Sequence, residues 1–124
     1  MKSISIIAML LTIVYATSCQ KESENTDFAN SANCTGVTPV YTGEIASIIN
    51  SNCATSGCHG GGSSAAGINL SNYANASNQF KNNSDNLASI HHAGDVDAMP
   101  RGASKLSDAV INKLDCWVKN GCPQ

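Results

Sequence analysis

Hydrophobic and polar positions divide this chain into four stretches. From Ile4 to Tyr15 the residues are almost all apolar, after a single charge at Lys2 and before the small residues Ala16, Thr17 and Ser18. That layout predicts a secretory signal, too short to cross a bilayer comfortably as a permanent helix. Residues 20–33 are polar, mixed in charge and nearly free of aliphatics, and predict a flexible tether with no face to bury. A helix is expected over Thr42 to Asn52, with Ile45, Ile48 and Ile49 on one side, and shorter helical pieces in SNYANASNQF and SDNLASI, capped by Ser71 and Ser84. The closing stretch LSDAVINKLDCWVKNG carries the strongest helical signal. Ser107 is the N-cap, Asp108 suits the first turn, and Val110, Ile111, Leu114, Trp117 and Val118 share one face. Gly121 stands where a left-handed C-terminal residue belongs, with Pro123 beyond. No alternating strand pattern of useful length occurs, so the expected class is all-α.

Composition adds a constraint. The domain expected from Cys34 to Gln124 has little to bury, because aromatics are 5% of the chain and Gly, Ser, Asn and Ala are abundant. A small domain so built needs something else inside it. Removing residues 1–18 takes away Lys2 and no acid, which leaves six basic against nine acidic side chains. Without a basic patch or an arginine cluster, nucleic acid is not an expected partner.

Cysteine usage changes the picture most. Six are present, at 19, 34, 53, 58, 116 and 122. Cys19 follows the small residues directly, and ATSC resembles the lipobox of bacterial lipoproteins, in which the cysteine is lipidated after cleavage. That resemblance divides the chain into a signal at 1–18, a tether at 19–33 and a domain at 34–124. It implies a lipid anchor on a bacterial membrane, facing the periplasm or the cell exterior. Five cysteines then remain, an odd number for a secreted domain.

The stretch CATSGCHGGG at residues 53–62 offers a use for two of them. A cysteine pair followed at once by histidine is the pattern of covalent haem attachment: the thiols add to the two vinyl groups, and the imidazole ligates the iron. The spacer here is four residues, Ala54 to Gly57, where two are usual; small side chains suit a loop that must bulge away from the porphyrin edge. Gly60, Gly61 and Gly62 let backbone pass close to a flat macrocycle. Zinc is the rival use, with Cys53, Cys58, His59 and one of His91 or His92 as a tetrahedral set, although adjacent Cys and His are awkward ligands for one small cation.

Iron held by one imidazole needs a sixth ligand. Met99, in DAMPRG, lies forty residues after His59 in a stretch of turn formers, and a loop methionine beside a stiffening proline calls for a reason that ligation supplies. His91 and His92 are its competitors. On a helix they point about 100° apart, so at most one faces the iron.

Taken in order, EIASIINSNC, CATSGCHGG, GINLSNYANA, MPRGASKLS and the final WVKNG resemble a small monohaem c-type cytochrome domain of the class I kind, over about Tyr41 to Pro123. The resemblance implies a small cytochrome c-like helical domain wrapped around one covalent haem c. It also implies thioether bonds from Cys53 and Cys58, proximal His59, distal Met99, and two terminal helices packed beside the haem. In that family the elements bearing Cys34 and Cys122 cross, which favours a Cys34–Cys122 disulfide, with Cys116 able to replace Cys122. The expected function is single-electron transfer between redox partner proteins outside the cytoplasm. A zinc- or disulfide-stabilised binding module is the alternative. The sequence holds no Ser/His/Asp triad and no paired carboxylates, so an enzyme is not expected.

Overall fold

A computed structural model describes residues 24–62, 64–83 and 85–124. The signal at 1–18 and Cys19 lie outside the described residues, as does Ser84. Among the described residues there are five α-helices: α1 (Glu24–Ser31), α2 (Ala46–Asn52), α3 (Tyr73–Asn82), α4 (Asn86–His91) and α5 (Asp108–Lys119). A π-helical turn at Tyr41–Ile45 leads into α2, kinked at Gly43, and together they cover the helix expected at 42–52. No strand occurs among the described residues, in keeping with the all-α expectation.

The core forms where the helices' apolar sides meet. Ile45, Ile49, Leu87, Leu114 and Trp117 are fully buried. Around the Trp117 indole the aromatic rings sit at favourable offsets: Phe80 lies edge-on at 5.6 Å between centroids, and Tyr41 is tilted at 6.0 Å. The indole N–H donates to the Pro123 carbonyl at 2.8 Å, and the Tyr73 hydroxyl to the Cys122 carbonyl at 3.0 Å. Tyr41 N–H also donates to the Pro123 carbonyl, at 3.0 Å. Three aromatic residues thus fasten the C-terminal tail across the start of α2, and no buried side-chain nitrogen or oxygen among the described residues lacks a partner.

α5 begins and ends as its caps dictate. Ser107 Oγ accepts from Val110 N–H, and Gly121 takes φ +79° just past the last turn. In α3 the cap is Asn72 rather than Ser71: Asn72 Oδ1 accepts from Asn75 N–H at 2.9 Å, while Ser71 donates to Asn69. α4 starts after Asp85, whose side chain makes no capping bond to the helix.

Two findings depart from the sequence expectations. The first is α1, which forms inside the stretch 20–33 expected to be a tether. It packs on α4 and α5, burying Ala29 and stacking Phe28 on the His91 ring at 4.0 Å. Its polar composition gave no periodic face; among the described side chains, Phe28 and Ala29 make the docking contacts, together with backbone bonds. α5 is buried on two sides in consequence: Ile111, Leu114 and Trp117 face the core, and Asp115 and Cys116 are also buried.

The second is the disulfide. Cys34 pairs with Cys116, their Cα atoms 5.6 Å apart, so the Cys34–Cys122 pairing is corrected. Cys116 lies in the last turns of α5, whose side is covered by α1 and the chain that follows it. Cys122 lies past the end of that helix, in the left-handed conformation (φ +51°), where its side chain joins the Trp117 core as a buried free thiol.

Candidate functional site

The site grows from the C-terminus of α2. Ile49, fully buried, anchors that helix, and its carbonyl accepts from both Cys53 and Ala54 N–H at 2.8 Å. The chain then turns back on itself. Gly57 takes φ +80°, a conformation glycine enters without a Cβ clash. Cys58 and Gly60 N–H donate to the Thr55 carbonyl, and His59 N–H donates to the Cys53 carbonyl at 3.0 Å. At Gly60 a Cβ would stand 2.6 Å from the Ala54 carbonyl oxygen and 2.9 Å from that of Thr55, so only glycine fits that crossing.

Cys53, Cys58 and His59 are thereby held in one knot of backbone. Both thiols are free, although Cys34 and Cys116 in the same chain are joined. Cys53 is half-buried against the core and Cys58 is exposed. Burial, and then the nearness of Cys58, push the Cys53 thiol up to about 11, so it remains protonated at neutral pH.

His59 is oriented by a backbone group. Its Nδ1 lies 3.2 Å from the Ile68 carbonyl, and a carbonyl only accepts, so Nδ1 carries the proton and Nε2 keeps its lone pair. That is how a metal-ligating imidazole is commonly held, with the second ring nitrogen donating to a fixed acceptor. Leu70 N–H, in turn, donates to the His59 carbonyl at 2.7 Å, which ties segment 68–70 along the loop. The sequence gave no side-chain sign of the Ile68 carbonyl, since any residue supplies one. An open cleft of about 450 Å³ lies beside this knot, lined by Ala54, Ser56, Gly57, Gly60, Gly61 and Gly62.

The three candidate sixth ligands have separate surroundings. Met99 is half-buried and packs against the same apolar cluster that Cys53 and Ile68 join; its N–H donates to the Ser89 carbonyl at 3.0 Å. His91 is occupied elsewhere, with Nε2 3.0 Å from an Asp115 carboxylate oxygen and its face covered by Phe28. His92 is exposed, ends α4 in the left-handed conformation, and its Nε2 lies 3.1 Å from the Met99 carbonyl. Among the described residues no three His, Cys, Asp or Glu side chains gather as a metal-binding group. No helix among them is long and apolar enough to cross a membrane. Compared with models of known families, with curated proteins and with solved structures, the chain finds no match.

Proposed function

We propose that this chain is a membrane-anchored monohaem c-type cytochrome that carries single electrons between redox partner proteins outside the cytoplasm, and is not an enzyme. One observation carries the reading: an imidazole whose Nδ1 is engaged by a backbone carbonyl, and whose Nε2 is left as a donor, sits in one loop with two unpaired thiols. Structural cysteines in an exported domain would be expected to pair, as Cys34 and Cys116 do.

The residues suit one covalent haem c. Cys53 and Cys58 would hold it as thioethers, His59 Nε2 and the Met99 thioether would bind its iron, and Gly60 to Gly62 would leave room for a flat ring. Bound there, the group would supply a one-electron iron couple, and one imidazole with one thioether ligand would favour the reduced state relative to two imidazoles. The chain's own part is to fix the imidazole through Ile68, to hold Met99 through its N–H bond to Ser89, and to shield the site with half-buried apolar side chains. A lipid on Cys19 would keep that site at a membrane facing the periplasm or cell exterior.

The test is to express the chain with haem-attachment machinery and record oxidised and reduced visible spectra and the intact mass. One haem retained through acid extraction, with Cys53 and Cys58 both consumed, is the expected result. A mass that lacks haem while both thiols stay free rejects the proposal.

A further inference from the structure

α1 sits where the chain between an anchor at Cys19 and the folded body should run. An eight-residue helix of this composition has no independent stability. It is held from outside. Phe28 stacks on His91, which is itself fixed by Asp115, and Ala29 is buried. The carbonyl end is capped by other elements: Lys119 Nζ donates to the Asn30 and Ala32 carbonyls at 3.1 Å each, and Asn112 Nδ2 to the Asn33 carbonyl at 3.0 Å. A cation at that end also suits the helix dipole. One residue later Cys34 is bonded to Cys116, so the strap is fastened along its last turn and beyond it.

We infer that α1 is a docked strap that shortens the leash of the domain and holds the domain close to the lipid surface. This rests on the anchoring part of the proposed function. With α1 docked, five peptide steps separate Cys19 from Glu24, a reach of at most about 18 Å. With α1 released, the fifteen steps to Cys34 would reach about 50 Å. The lipid surface is therefore the domain's constant neighbour.

Two measurements on the haem-loaded mature chain test this. In the first, amide exchange is followed at residues 27–31 in a Cys19→Ser chain. Those amides exchange at least tenfold more slowly than in a Phe28→Ser, Ala29→Asp double variant; equal rates overturn the docked strap. In the second, neutron reflectometry of the acylated protein on a supported phospholipid bilayer reads the gap between lipid and domain. The gap stays within about 18 Å, and it widens both in the double variant and when ten Gly/Ser residues are inserted between Lys21 and Glu22. A gap that the insertion and the double variant leave unchanged overturns the leash. Absence of an acyl group from Cys19 by mass spectrometry removes the anchor and with it the leash, while the exchange data still decide whether the strap docks.

Discussion

His91 Nε2 lies 3.0 Å from Asp115 Oδ2, in a carboxylate–imidazole pair whose acid is almost completely buried. A carboxylate placed there needs a donor, and His91 is the one it has. His91 therefore serves α1 and α5 packing, while Met99 packs on the apolar cluster that Cys53 joins.

Removing that donor should be costly. His91→Ala leaves a buried carboxylate without its bond and is expected to destabilise the fold by about 2 kcal/mol. Burial raises the Asp115 carboxyl above its ordinary range, against the hydrogen bond and charge of His91 and the charge of Lys105, which lower it. A raised acid contributes most below its unfolded pKa and loses that contribution as pH rises through the folded value. The stability of the wild type relative to Asp115→Asn should therefore fall as pH rises above the ordinary aspartate value of about 4, as read by urea unfolding across that range. A rise over the same range would show that the His91 pair outweighs burial.

Met99 and His59 should fail differently. Met99→Ala is expected to keep the covalent haem, change the visible spectrum and lower the reduction potential, because the thioether that favours the reduced iron is gone. His59→Ala should alter the spectrum further and lower the fraction of chain that retains haem, because the proposed imidazole ligand is lost. An unchanged spectrum in Met99→Ala would instead point to an exchangeable axial position and chemistry at the iron.

The disulfide is separable from the buried thiol. Cys34 and Cys116 are 82 residues apart, and closing so long a loop restricts the unfolded chain, so Cys34→Ser should cost about 4 kcal/mol. Cys122→Ala removes one sulfur from the core and should cost about 1 kcal/mol with the disulfide intact. Alkylation after denaturation without reductant, followed by peptide mapping, distinguishes the two pairings: the label falls on Cys122 if Cys34 is bonded to Cys116, and on Cys116 if it is bonded to Cys122.

Gly60 and Gly62 form a matched pair of probes. A Cβ at Gly60 would collide with the carbonyl oxygens of Ala54 and Thr55, which are backbone and cannot swing aside, whereas nothing lies within 4 Å of one at Gly62. Gly60→Ala should destabilise the domain by about 1–3 kcal/mol and lower the fraction of chain that acquires haem. Gly62→Ala should match the wild type in thermal melts of the haem-free chain, because a Cβ there meets no protein atom.

Local chemistry made some elements readable in advance. Ser107, Gly121 and the spacing of Ile111, Leu114 and Trp117 define α5, since a cap, a left-handed glycine and a 3.6-residue period act within one turn of themselves. The same holds for Ile45 and Ile49 in the helix before Cys53, and for CATSGCHGGG as a loop carrying thiols, imidazole and glycine. The Asn72 cap was one residue from the expected Ser71, where both types can cap and neighbouring bonds decide.

What the amino-acid order determined alone was the helical class of the domain, its strongest helix and the set of groups able to do chemistry, because each depends on residues close together in the chain. Tertiary structure decided which cysteine Cys34 meets, that polar residues 24–31 form a helix over α4 and α5, and that His91 turns to Asp115 while His59 is held by Ile68. Those outcomes join groups far apart in sequence or use backbone carbonyls that every residue owns. Only the packed arrangement of the helices brings them within bonding distance.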